Sequence, residues 1–348
     1  MYRPNFEDYR KDVLAPLLPN ANFSRISQLG ENFKLFLKNN RDFEGSIYEM
    51  KKVDKKRFVH FTSLRNFFEI LNSGEIRLYD FGSQNDPKEY LYSWGTIKNM
   101  EDPDRIGKNN DKLFSFILSM CQIKDNDDSD YFDMWRLYGD NGSGVGIVIK
   151  IDNNPAEWDN YLLSNVLYGE KKRNNIEELF RRHEEYLGER PSNFRKGIIN
   201  YIGPFHKPEI YKFEREVRLL ITAQATENVR QTNPFYSYKN GKRIQYATLP
   251  LNSKKQIEVL KKQGEEEDQM KEIMRKCNNE KSPANTIKSK STEIREIERT
   301  PHLVIDTIII GYRNNPDDYK QIKAIIDDIV IDWEGYINIV PSKISKYF

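Results

Sequence analysis

Cysteine is nearly absent from this chain of 348 residues: there are two, Cys121 and Cys277. Two thiols so far apart make neither a disulfide framework nor a metal-ligand spacing, and a reducing cytoplasm is the expected compartment. Histidine is equally scarce, with four residues scattered along the chain, so no His/Cys cluster suggests zinc. No charge of one sign dominates. Lys and Arg number 55 against 53 Asp and Glu, a formal net charge of +2, which supplies no global field pointing to DNA or to a membrane. No apolar run approaches the roughly 20 residues that span a bilayer. The opening "MYRPNFEDYRKDVLAPLLPN" is too charged for a signal peptide.

What is present is a charged, soluble chain, 31% Asp, Glu, Lys and Arg against 38% apolar residues, long enough to bury a substantial core. Residues 1–50 read as a helical N-terminal extension, with "FSRISQLGENFKLFLKNN" its most amphipathic part. From residue 53 the texture changes to short apolar strands with intervening helices. "KLFSFILSMC", "YKFEREVRLLITA", "HLVIDTIIIGY" and "GYINIVPSKI" read as strands, and "NNIEELFRRHEEYLGE" and "DDYKQIKAIIDDIV" as helices. The first of those helices is dense in charge and expected in solvent, His183 included. Residues 252–300 are almost wholly polar and cannot bury much apolar area. They read as an insertion, an exposed helix and a mobile loop, in a domain made of 53–251 and 301–348. The class is α+β.

Two stretches carry chemistry. In "FVHFTSLRNFFEILNSGEIRLYDF" the residues Phe67, Phe68, Ile70 and Leu71 mark a helix face. Ser63 is its N-cap and Gly74 its C-terminal glycine. Nothing in that scheme requires His60. It stands at a strand end beside Thr62, Ser63 and a helix N-terminus, a place suited to an anion or a ribose. In "FEREVRLL" strand alternation puts Phe213, Val217 and Leu219 on one face with the stem of Arg215, and Glu214, Glu216 and Arg218 on the other. Two readings stand: an edge strand protected by charges turned to solvent, or a row of catalytic carboxylates. Two adjacent carboxylates repel, and one holds a raised pKa unless Arg218 offsets it.

The order "HFTS…NDP…LS…MWRLYG…G…FEREVR…IIIGY" resembles a large bacterial family of uncharacterised domains over residues 53–340. That family is similar to the ADP-ribosyltransferase superfold, in its nucleic-acid-modifying toxin branch. The resemblance implies a split β-sheet core and NAD+ as substrate, with no metal. By it, His60 and Thr62 hold the cofactor ribose, Glu216 is catalytic, and Glu214 is the first glutamate of a Glu-x-Glu pair. Nicotinamide is already a cationic leaving group, so one carboxylate that stabilises an oxocarbenium-like carbon suffices, and the other orients or deprotonates the acceptor. The middle motif is open among Ser119, Trp135, Tyr138 and Tyr79; Ser63, Asn85 and Arg218 complete the candidate cofactor contacts. The implied function is mono-ADP-ribosylation of a macromolecule, RNA or DNA ahead of protein, by a toxin or anti-phage effector held in check by an antitoxin or inhibitor. The alternatives are a non-catalytic nucleotide- or partner-binding module on the same fold and an NAD+ glycohydrolase.

Other features have plainer readings. "QNDPKE", with Asn85, is a turn or a cofactor contact. Trp135 and Tyr138 share a helical face that packs in the core or lies beside a cofactor ring. "GDNGSGVG" lacks the spacing of a phosphate loop and reads as a tight turn near the site. "KKRNNIEELFRRH" and "KNGKRIQY" are solvated basic faces or contacts for a nucleic-acid strand.

Overall fold

A computed structural model describes residues 6–25, 33–50, 57–81, 115–187, 200–221, 235–239, 242–251 and 297–331, most of 333–347, and the isolated positions 89, 92, 258, 262 and 295. Asn85 and nearly all of 252–296 lie outside the described residues. The fold is α+β: a large, mostly antiparallel sheet of ten strands with helices against both faces.

A first hairpin pairs β1 (Asn22–Arg25) with β2 (Phe33–Phe36). It lies where the sequence reads as the best part of a helical extension. Four residues such as Phe-Lys-Leu-Phe satisfy either period, and cross-strand pairing decides for the strand. Among the described residues of this region the helical pieces are short: Phe6–Tyr9, a π-helical turn, Arg10–Leu14, and a 3₁₀ turn, Asn40–Phe43. Nor does the segment stand apart. Tyr9, Leu14, Phe43 and Tyr48 share a core with Ile117, Leu162 and Leu220 of the sheet.

The central sheet is built around β5 (Phe116–Gln122). On one edge β5 pairs along its length with β10 (Glu216–Ile221), which pairs in turn with β7 (Tyr161–Asn165). On its other edge it meets two strands in succession. Its start pairs with β4 (Glu75–Asp80), Tyr79 opposite Ile117, and its end with β3 (Arg57–Thr62), Val59 opposite Cys121. Beyond β4 follow β12 (Lys242–Pro250) and β11 (Phe235–Lys239); beyond β3 follow β6 (Val145–Ile151), β13 (Leu303–Ile310) and β14 (Asn338–Pro341). The sheet therefore splits, with β3 and β4 diverging about residues 118–120.

The helix Leu64–Ser73 connects the diverging strands. Its signals are those read in the sequence: Ser63 Oγ accepts the Asn66 N–H at 3.3 Å, and Gly74 closes it in the left-handed conformation at φ 64°. Phe67 and Leu71 bury against one sheet face together with Ile322 and Ile326 of the helix Pro316–Ile329. The opposite face is covered by the N-terminal segment, by the helix Glu170–Leu187 and by the short helix Phe132–Leu137. The Glu170–Leu187 helix is not fully solvated. Ile176, Leu179 and Phe180 pack inward, and so does His183, 2% exposed, whose Nδ1 shares a 2.6 Å hydrogen bond with the buried Tyr9 hydroxyl. A helix this charged still carries one apolar stripe, and that stripe decides its docking. Among the described residues no helix is long and apolar enough to cross a membrane.

Candidate active site

Where β3 and β4 part, a cleft of about 560 Å³ opens beside β5. Alternation along β5 sends Leu118 and Met120 to one side of the sheet and Ser119 and Cys121 to the other, and all four line the cleft. The split itself thus forms part of the cavity wall. His60 fills the place of a missing strand partner: its Nδ1 lies 2.9 Å from the main-chain oxygen of Ser119. A carbonyl only accepts, so Nδ1 carries the proton, and in the neutral ring Nε2 is left as an acceptor. Burial lowers the His60 pKa below its ordinary value, against the opposing effect of the Ser119 bond. Thr62 and the Ser63 cap lie next to it on the same wall.

The opposite wall is a buried ionic network. β10 is no edge strand. It lies between β5 and β7 with all six residues buried, so the reading of solvated edge charges is excluded. Glu214 is not in the strand at all. It ends a 3₁₀ helix, Glu209–Glu214, and Arg215 follows in the left-handed conformation at φ 46°. The Arg215 side chain reaches Asp130, 3.4 Å from its Nη1, and lies over the Tyr131 ring. Despite this turn both carboxylates meet one ammonium. Lys207 Nζ, on the two-residue strand β9 (His206–Lys207), is 2.6 Å from Glu214 Oε2, 2.7 Å from Glu216 Oε2 and 2.7 Å from Glu89 Oε1. β9 is placed by its parallel partner β8 (Leu167–Tyr168).

Arg218 completes the network. Its Nε and Nη2 grip Glu216 at 2.7 and 3.1 Å, a bidentate pairing. Nη2 also reaches Glu89 at 2.6 Å, and Nη1 donates to the carbonyl of Pro204. Three carboxylates against two cations leave one negative charge in excess. The two glutamates of the pair diverge accordingly. Burial works to raise Glu216, but the charges of Arg218 and Lys207 outweigh it and hold the carboxyl at about 2. Burial raises Glu214 above the ordinary range, and the Glu216 charge adds to this against the pull of Lys207. Tyr138 Oη donates to Glu214 Oε1 at 2.9 Å. A carboxyl held ionised beside one whose proton affinity is raised is an arrangement that lets the first stabilise positive charge while the second, once ionised, accepts a proton.

Nine of the residues singled out in the sequence line this cleft: His60, Thr62, Ser63, Tyr79, Ser119, Tyr138, Glu214, Glu216 and Arg218. Trp135 does not. It is buried in the core, its Nε1 donating to Asp128 at 2.9 Å and its ring packed edge-on against Phe61. Trp135 and Tyr138 begin from one helical face, but Tyr138 follows the last helical residue and turns to the cleft. Lys207 and Glu89 escaped the sequence reading. Lys207 sits in "FHKPEI", which has no pattern of its own. Glu89 is two residues beyond the Asn-Asp-Pro stretch, so the signal that drew attention to Asn85 stood beside a site residue.

Residues 134–219 match the model of a family described as a protein of unknown function (DUF2971). The match takes in Tyr138, Lys207, Glu214, Glu216 and Arg218 and leaves out His60. No curated protein and no solved structure matches the chain. Over the segment from the Phe132–Leu137 helix to β10, the chain is similar to a family whose activity is undefined.

Proposed function

We propose that the cleft binds NAD+ and breaks the bond between nicotinamide and ribose, passing ADP-ribose to a macromolecular acceptor, RNA or DNA ahead of protein. The observation that supports this reading is the meeting of His60, Ser119, Tyr138, Glu214 and Glu216, from four separate segments, around a single cavity. In the proposed reaction His60 Nε2 accepts a ribose hydroxyl proton in a hydrogen bond. Nicotinamide leaves with the bonding electrons and becomes neutral, so no acid is needed. Positive charge grows at the ribose carbon, and the ionised Glu216 stabilises it. Three hydrogen bonds from Arg218 and Lys207 occupy Glu216, and a carboxylate offers about four acceptor positions. Glu214 takes the acceptor's proton as the new bond forms.

A second reading has its own support. Glu216 is 4% exposed and clamped by two cations, an arrangement equally suited to a rigid, non-catalytic binding module. Incubation with NAD+ labelled in the ADP-ribose part separates the readings. Label on RNA, DNA or protein marks a transferase, and free ADP-ribose marks a glycohydrolase. Binding without turnover marks a module and overturns the catalytic proposal.

A further inference from the structure

The cleft has a second end, away from the ionic network. There β4 and β12 run side by side with Tyr79 directly opposite Tyr246, their rings 6.0 Å apart. The Arg77 guanidinium lies over the Tyr246 ring, 4.9 Å from its centroid. Its Nη1 is 3.4 Å from Glu69 Oε2. Arg77 and Tyr79 line the cavity together with Ile70, Ile244, Asn66 and Glu75, and 35% of the Arg77 side chain remains exposed.

An arginine laid on an aromatic ring and steered by a carboxylate is a fixed, flat surface. Guanidinium planes of this kind stack on planar heterocycles. The charge of Arg77 is already met by Glu69, which makes it a poor phosphate anchor and leaves its plane as its useful feature. The carboxylates of Glu69 and Glu75 beside it only accept. An exocyclic amine at the edge of a ring donates to them; a carbonyl at the same position cannot. We infer that this end of the cleft is a stacking site for a nucleobase bearing an exocyclic amine, of the adenine type. The inference rests on reading the cleft as a nucleotide site. The base belongs either to the dinucleotide or to a nucleotide strand.

The test measures binding to the full chain of NAD+ and of its hypoxanthine counterpart, which has a carbonyl in place of the amine. A second arm compares short oligoadenylate with oligoinosinate. Arg77→Lys, which keeps the charge and removes the plane, and Tyr246→Ala are measured alongside, with melting temperature as the control for folding. The amine-bearing ligand binds about tenfold tighter than its counterpart, and each variant loses about tenfold in affinity for it, within the range of single stacking contacts. The arm that shows this identifies the source of the base. Equal affinity for both bases, unchanged affinity in Arg77→Lys, or no binding of either ligand overturns the inference. The outcomes also separate it from the proposed function. Adenine-dependent binding without NAD+ cleavage sinks the catalytic reading and leaves this one standing, whereas cleavage with unaltered KM in both variants sinks this one alone.

Discussion

His60 Nδ1 lies 2.9 Å from the carbonyl oxygen of Ser119, at the point where β3 and β4 leave the same edge of β5. The side chain takes over a backbone acceptor that a continuous sheet would have paired. That bond fixes the ring and directs Nε2 into the cleft.

In the proposed reaction, replacing His60 with Ala removes a ribose contact far from the breaking bond. KM for NAD+ rises while kcat changes little, because ground state and transition state lose the same interaction. Steady-state kinetics checks this; an unchanged KM would make His60 a purely structural residue. The pH dependence follows from the lowered pKa. The folded state prefers neutral His60, so it contributes no penalty above the ordinary value of 6.5, and stability falls as pH drops below it. His60→Gln flattens that part of a denaturation-versus-pH curve.

Glu216 and Glu214 respond oppositely to loss of charge. Glu216→Gln slows turnover roughly a hundredfold or more, and it also destabilises, because Arg218 loses its bidentate partner. With the carboxyl held at about 2 against a reference of 4.5, its contribution is about 3 kcal/mol near neutrality. That contribution is fully present above pH 4.5 and is lost as pH falls toward 2. Glu214 is raised, so its ionisation costs stability as pH climbs above 4.5. Glu214→Gln is therefore neutral or stabilising at pH 7, although it slows transfer to the acceptor. Urea denaturation at pH 7 decides the point; equal destabilisation by both variants would refute the assignment.

Lys207→Met leaves three buried carboxylates to one guanidinium. Removing one partner of a buried ion pair costs about 3–5 kcal/mol, and here one ammonium serves three partners. We expect a large fall in Tm at pH 7 that lessens in mild acid, where Glu214 takes up a proton. A fall of the same size at both pH values would show that lost packing, not charge, is responsible.

We expect the polar segment 252–296 to be removable. Leu251 and Leu303 form a parallel bridge, so the ends of the domain on either side of it are already joined. Ile297–Thr300 belong with the domain: Asn153 Nδ2 bonds the Thr300 carbonyl at 2.7 Å, and Arg299 pairs with Asp159 at 2.8 Å. Replacing 252–296 with a short Gly/Ser linker changes closure entropy only modestly. Tm and NAD+ cleavage are retained, and acceptor labelling or inhibition by a partner is lost. Loss of the fold would make the segment part of the core.

Local signals sufficed for much of this molecule. Ser63, the Phe67 and Leu71 spacing and Gly74 specify a helix without reference to anything distant, because capping and periodicity act within a few residues. The composition of 252–300 is likewise a local signal, though nearly all of that segment lies outside the described residues. The string Phe213 to Leu220 supplied three residues that line the cleft, Glu214, Glu216 and Arg218, and His60 stood out because no local element needed it. Tertiary structure decided the rest. Alternation in "FEREVRLL" cannot say whether its charged face meets water or a buried ammonium. Pairing with both β5 and β7 makes the apparent edge strand a central one, and burial together with the charges of Arg218 and Lys207 separates the behaviour of Glu214 and Glu216. His183 reads as solvated but is buried and bonded to Tyr9, and Arg215 reads as a strand residue but closes a 3₁₀ helix in the left-handed conformation. Sequence period reports which face of an element is apolar. Which charge that element meets, and therefore which proton it keeps, is a Coulomb and desolvation question that distance in space alone answers.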